Sequence, residues 1–501
     1  MEDHNLLVVS DLHLSEGFDS ATGKFSRLED FWFGDAFARF LRYHEGVRGQ
    51  PRFGGRPWML IINGDLFDFL QVVSLPEEDR LLRTIRDFTS HRDLSVNERD
   101  FGLGTTAAES EWKLKQIARG HQHFFAALGW FVAHGNHVTV LKGNHDVDLH
   151  WPQVQERFVA EVQRAYTRER LALDHGPALS AQEVHDCLHF HPWFYYEPGR
   201  IYVEHGGQYE ALNHFRDYLN PVLPDDPTRI ELPWGSLFVR YLFNRIELVH
   251  PFADNVKPVT RYVGWAFRTD PVGTIELLVT HSWVFLRSFW NVARKTMAAV
   301  FRKGEAQVQS SKPEPLPLPA EVVAEIAALA QHRVGAVWQE WIASAVQGLL
   351  SLLMALITIT FVVLAVLTLS GGLSWMTALY LGSAALAYFL GRGLKRSFAS
   401  LIESDYLLGA ARGLERLLSP AHAVQYVVMG HSHHAALERM ERSWYVNTGA
   451  WVPVFEEQGG TEGHEKLTFF RLAQGHEGMP ELLKWDDAAG APTHLVLWPD
   501  A

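Results

Sequence analysis

The run Met59-Leu60-Ile61-Ile62-Asn63-Gly64-Asp65-Leu66-Phe67-Asp68 passes from four apolar residues into a glycine turn that carries two carboxylates. A short apolar run bounded by turn residues reads as a buried strand, which places the carboxylates where the strand ends. Other stretches repeat this grammar. Leu6 to Val9 leads into Asp11-Leu12-His13, Val138 to Leu141 into Gly143-Asn144-His145-Asp146, and Tyr426 to Met429 into Gly430-His431-Ser432-His433. Ile201-Tyr202-Val203 leads into His205-Gly206. In open α/β sheets ligands bind beyond the carboxyl ends of the strands, so side chains placed there converge. Asp, Asn and His in such a cluster suit Mn, Fe, Zn or a similar divalent ion. Any one of these motifs alone reads equally well as turn chemistry, because Asp, Asn and Gly favour turns.

Taken in order, D-x-H, G-D-x-x-D, G-N-H-[DE], a lone His and G-H-x-H resemble the calcineurin-like metallophosphoesterase family. The resemblance covers residues 5 to 215 and 420 to 475, including Tyr445-Val446-Asn447-Thr448-Gly449-Ala450-Trp451 after the last motif. It implies a four-layer α/β/β/α sandwich, with two mixed sheets face to face, helices outside and metals at one edge. It also implies two divalent ions, manganese first among Mn, Fe, Zn and Co. Asp11, His13 and His433 would hold one ion, Asn144, His205 and His431 the other, and Asp65 would bridge them. His145 would stand at the leaving-group oxygen as electrostatic clamp or general acid, with Asp146 orienting its ring. The implied chemistry is hydrolysis of a phosphate ester by a hydroxide activated between two cations. His205 has the strand-then-glycine context, and His185, His189, His191, His214 and His281 are its competitors for the lone-His role. Asp68 reads as a cap for the segment after it, not as a ligand.

A formal net charge of -13 argues against a nucleic-acid binder that works by phosphate neutralisation. The single cysteine, Cys187, allows neither an intrachain disulfide nor a cysteine zinc site, which fits a reducing compartment. Met1-Glu2-Asp3-His4 lacks the basic start and apolar stretch of a signal peptide, so the catalytic part is expected in the cytoplasm.

The chain of 501 residues is too long for one ordinary domain. We divide it into a core part over 1–219, an insertion over 220–319, a helical hairpin over 320–400 and a second core part over 401–501. Within the first part, helical periodicity marks 26–44, 111–132 and 152–172, and Val184 to Phe190 with Ile201 to Val203 read as a strand pair. The extra length around 75–130 suits a helical cap or an ordinary helical excursion. Trp283 to Lys303 mixes Trp and Phe with Arg and Lys, as at a water–lipid interface, and Ser311 to Pro319 is a stiff proline-rich linker. From Trp341 to Gly391 there is no Asp, Glu, Lys or Arg. Apolar stretches at 342–369 and 373–391 read as a transmembrane hairpin. Arg333 before it and Arg392, Lys395 and Arg396 after it place both ends in the cytoplasm. A hairpin returns the chain to the side it left, as a site shared by His205 and His431 requires. The expected function is metal-dependent hydrolysis of a phosphate ester at the cytoplasmic face of a membrane, with a lipid-linked phosphate or pyrophosphate as one substrate class. The alternative is a non-catalytic, membrane-tethered scaffold. The expected partners are the phosphoester and membrane lipid, and the sequence leaves the oligomeric state open.

Overall fold

The computed structural model describes residues 4–75, 94, 96–173, 176–244, 316–331, helical positions between 358 and 385, 406–418, 421–454, 464–465, 467–475 and 480–495. The chain divides into two compact units: Met1–Gln208, Leu212–Val323 and Leu414–Ala501 form the first, Tyr209–Ala211 and Ala324–Gly413 the second.

The first unit is built on two sheets. Strands β1 (Asn5–Val9), β2 (Trp58–Asn63), β3 (His137–Leu141) and β4 (Leu188–His191) run parallel in that order. In the second sheet, β5 (Phe194–Glu197), β6 (Ile201–Glu204), β7 (Tyr426–Met429), β8 (Ala436–Arg439) and β9 (Trp444–Asn447) lie in the order β8-β9-β7-β6-β5. There β6, β7 and β9 are parallel, and β5 and β8 are antiparallel edges. Strands β10 (Thr468–Leu472), β11 (Glu481–Asp486) and β12 (Ala491–His494) extend the first sheet beyond β1 as an antiparallel meander.

Alternation along the strands explains how the layers stack. Leu7, Val9, Leu60, Ile62, Val138 and Val140 point into a core shared with helices α1 (Gly34–Val47), α2 (Ala107–Gly120), α3 (Gln122–Ala133), α4 (Pro152–Leu173) and α5 (Ala181–Cys187). Their neighbours Leu6, Val8, Met59 and Ile61 point the other way, onto Ile201, Val203, Val428 and Val446 of the second sheet. Successive side chains of a strand face opposite sides, so an unbroken apolar run such as Leu6 to Val9 is what a strand buried on both faces requires.

Three local expectations are corrected. The helix expected over 26–44 begins only at Gly34, because buried Glu29 ties the preceding loop instead. Its carboxylate accepts from Ser15 N at 3.2 Å, Gly17 N at 2.6 Å and Phe31 N at 2.9 Å. The helix expected over 111–132 is two helices, α2 and α3, parted at His121. Val184 to Cys187 belongs to α5, started by a Ser180–Glu183 capping box, and β4 after it joins the first sheet. The partner of β6 is therefore β5, in the other sheet.

In the second unit, the described residues from 324 onward are helical. The expected spans at 342–369 and 373–391 lie largely outside the described residues, as do the basic aromatic segment 283–303 and most of 75–93. Among the described residues no helix is long and apolar enough to cross a membrane.

Candidate metal centre

Every ligand-type motif leaves the carboxyl end of a strand. Asp11 and His13 follow β1, Asp65 follows β2, Asn144 follows β3, His205 follows β6, and His431 and His433 follow β7. Both sheets present these ends to the same place. The loop after β1 is sewn to that after β2 by Asp11 N to Gly64 O at 3.2 Å and His13 N to Asp65 O at 2.9 Å. The second sheet is tied in by His431 N, which donates to Asp11 Oδ2 at 2.9 Å.

Among the described residues, three groups of side chains bring one ligand atom each within 4.8 Å of one another: Asp11–His13–His433, His13–Asp65–His145 and Asp65–His205–His431. Asp65 Oδ2 lies 3.0 Å from His205 Nε2 and 3.9 Å from His13 Nε2, between the first and last groups. Asn144 Oδ1 is 3.2 Å from His205 Nε2, and His13 Nε2 is 3.2 Å from His433 Nε2. Asp65 Oδ1 is occupied differently, accepting from His145 N at 2.8 Å. His205 Nδ1 meets Asn63 O at 2.9 Å, which turns Nε2 toward the cluster. His205, the residue expected in the lone-His role, thus lies in a group with Asp65 and His431. His185, His189, His191 and His214 belong to none of these groups, and His281 lies outside the described residues.

Two observations show that this donor set fits divalent cations. First, Asp11 Oδ1 is buried and receives no hydrogen bond, yet faces His433 Nε2 at 3.3 Å. A carboxylate oxygen so placed is costly unless a cation completes it. Second, the described non-glycine residues with positive φ are Asp11, His13, Asp65, His431, His433 and Leu467. Each costs on the order of 1–3 kcal/mol, and such strain gathers where function holds it. All of these but Leu467 are ligand-type residues of the motifs.

The motif glycines have steric reasons. A Cβ on Gly143 would overlap Asp65, and one on Gly64 would stand 2.6 Å from His205 Nδ1.

The electrostatics are those of a cation site. Burial alone would push the Asp11 carboxyl up, but the His13 and His433 rings outweigh it and hold it well below the usual range. Asp65 behaves in the same way beside His205 and His145. Burial would push the His205 ring down, yet Asp65 raises it to about 9. The carboxylates therefore stay charged here, and the rings compete with a metal as their counter-ions.

His145 is the most open of these side chains, at 14% exposure against 5% or less for Asp11, His13, Asp65, His205 and His433. Its ring partner corrects an expectation. Asp68 Oδ2 lies 2.6 Å from His145 Nδ1, whereas Asp146 accepts the backbone N–H of Gly143 at 2.6 Å and of Leu66 at 2.8 Å. Asp146 points back into the loop and braces it, so it cannot orient the ring. Asp68 also caps a turn through Leu70 N at 2.9 Å and Gln71 N at 3.1 Å, so the expected cap is only half of its role. The signal was the second carboxylate of Gly64-Asp65-Leu66-Phe67-Asp68.

The calcineurin-like phosphoesterase family model matches residues 4–277. The chain belongs to this family. It is a phosphoesterase hydrolase, and its buried Asp and His groups form a divalent metal centre. No curated protein and no solved structure matches the chain.

Proposed function

We propose that this phosphoesterase uses two divalent ions to cleave a phosphate ester at the cytoplasmic face of a membrane. The observation that carries the reading is that Asp65 Oδ2 lies close to a ring of each of two ligand groups, 3.0 Å from His205 Nε2 and 3.9 Å from His13 Nε2. In this reading Asp11, His13 and His433 would hold one ion, Asn144, His205 and His431 would hold the other, and Asp65 would serve both. Manganese is our first choice, with Fe, Zn and Co as the other ions this donor set suits. Bound ions would supply a nucleophile at neutral pH and neutralise phosphoryl oxygens.

The chain's own residues do the rest. His145, on the open side, faces the ester oxygen that leaves. Burial would lower its ring, but the Asp68 and Asp65 carboxylates outweigh this and raise it, the direction a proton donor needs. Asp68 fixes which nitrogen carries that proton, and Asp146 keeps the loop of Asn144 and His145 in place through backbone N–H groups.

We read 220–319 and the hairpin 320–400 as inserted between the core parts 1–219 and 401–501. Within the charge-free stretch, Val362, Val366, Leu379 and Leu381 are exposed on helices. Phe361 and Tyr380, one in each proposed span, stack with ring centroids 6.0 Å apart, as neighbouring arms of a hairpin would. A substrate held at that surface, such as a lipid-linked phosphate or pyrophosphate, follows from this placement.

The test is hydrolysis of bis-p-nitrophenyl phosphate and p-nitrophenyl phosphate by detergent-purified protein, with Mn, with chelator, and with Asp65→Asn. Turnover that needs the metal and falls at least about a hundredfold in the variant is expected, since the bridge serves both ions. Folded, metal-loaded protein that turns over neither these esters nor lipid-linked phosphates in vesicles would sink the reading and favour a scaffold.

A further inference from the structure

The helix Trp234–Phe238 continues into a wide π turn over Val239–Phe243. Ser236, Arg240 and Asn244 recur on it at every fourth residue and are buried, at 1%, 5% and 4% exposure. That spacing gathers them on one side of the run. Each has a buried atom that makes no hydrogen bond: Ser236 Oγ, Arg240 Nε and Asn244 Oδ1. Their other bonds fix the run in place. Arg240 Nη2 donates to Gly102 O at 2.8 Å, and Asn244 Nδ2 donates to Leu70 O at 2.7 Å.

Two buried charged residues lie within electrostatic reach of Arg240. Lys113 on α2 is 1% exposed, and Asp148 also is 1% exposed. Ser110 Oγ donates to Asp148 Oδ1, while buried Asp148 Oδ2 accepts nothing. Lys113, Asp148 and Arg240 act on one another through space, yet among the described residues neither cation forms an ion pair. Glu109, also within reach of Lys113, is committed to the cap of α2 with Thr106. Burial pushes the Lys113 ammonium down to about 8, so it stays largely charged at neutral pH. A fully buried structural network would close on itself, because each unpaired group is costly. Here Ser236 Oγ, Arg240 Nε, Asn244 Oδ1 and Asp148 Oδ2 are all left without a hydrogen bond.

We propose that Lys113, Asp148 and the Ser236–Arg240–Asn244 face form a subsite for a phosphorylated polyol, the leaving-group half of the phosphoester. Its anionic oxygens go to Lys113 and Arg240, and its hydroxyls to Asp148, Asn244 and Ser236. The two cations against the Asp148 carboxylate favour an anion, and the acceptor oxygens favour a ligand that also donates. The assignment to the leaving-group half rests on the role proposed for His145. Asp68, which holds the His145 ring, also acts on Lys113, and Asn244 bonds the turn that Asp68 caps.

The experiment is calorimetric titration of the full chain, Mn-loaded and chelator-treated, with sn-glycerol 3-phosphate, inorganic phosphate and glycerol. We expect glycerol 3-phosphate to bind in both metal states and more tightly than phosphate, and glycerol not to bind. Arg240→Gln and Lys113→Met should each weaken binding about tenfold or more, as for loss of a charge-assisted hydrogen bond. Binding seen only with Mn, unchanged in these variants, or absent for all three probes would overturn the proposal. If Lys113→Met does not fold, Ser236→Ala takes its place; it should weaken binding a few-fold, and no change counts against the subsite. Because binding is read without turnover, failure of the phosphoesterase reading would show separately, as absent hydrolysis with glycerol phosphate binding intact.

Discussion

At the scale of single residues, the proton-donor role proposed for His145, whose ring meets Asp68, can be separated from metal binding. His145→Ala should keep its metal but lose about 10²- to 10⁴-fold in kcat on alkyl phosphoesters, the usual contribution of a general acid. p-Nitrophenolate leaves without a proton, so nitrophenyl esters should lose much less. Asp68→Asn should show the same dependence on the leaving group in weaker form. A loss equal for both ester types would place His145 elsewhere in the reaction. Gly143→Ala tests the other side of the design. Because a Cβ there would overlap Asp65, metal content measured after gel filtration should fall although no ligand is removed. Much of the centre was legible in the motifs, because ligand chemistry restricts residue type. What was not legible was which carboxylate meets which ring. Asp68 and Asp146 are equally plausible partners in sequence, and only the loop geometry turns Asp146 toward Gly143 and Leu66.

At the scale of elements, the strands buried on both faces were readable, whereas the helix ends and the strand read at Val184 to Phe190 were not. A strand buried on both faces has to be apolar at every position, which Leu6 to Val9 and Met59 to Ile62 show directly. The start of α1 at Gly34 depends on the long-range bonds of Glu29, and the split between α2 and α3 falls at His121 inside one continuous helical pattern. Neither has a local signature. Helix α1 also carries a pH prediction. His44 is fully buried, with Nδ1 2.9 Å from Phe40 O, and burial lowers its ring to about 3. The unfolded ring takes a proton below about 6.5 and the folded one does not, so its neutral form favours folding above that pH. Stability is then lost as pH falls from about 6.5 toward 3, by up to about 1.4 kcal/mol per unit. In His44→Leu, the drop in melting temperature between pH 7 and pH 5 should be smaller than in wild type. An equal drop would assign the acid sensitivity to other groups.

At the scale of the whole molecule, one site is assembled from strands more than 400 residues apart, since the loop after β1 carries Asp11 and the loop after β7 carries His433. Everything between has to bring the chain back to the place where the carboxyl ends of both sheets meet. The proposed hairpin satisfies this by returning the chain to the side it left. Deleting residues 341–391 should leave hydrolysis of bis-p-nitrophenyl phosphate within about twofold, while lowering turnover of lipid-linked phosphates in vesicles by tenfold or more, through lost surface concentration. Unchanged vesicle turnover would mean that membrane placement does not select the substrate. The convergence of both sheets on Asp65 is best tested by metal stoichiometry. Purified protein reconstituted with Mn and analysed by native mass spectrometry should carry two ions per chain. His433→Ala and His205→Ala should each retain one, and Asp65→Asn should lose affinity for both. One ion in wild type, or ligand variants that leave the count unchanged, would contradict the paired site.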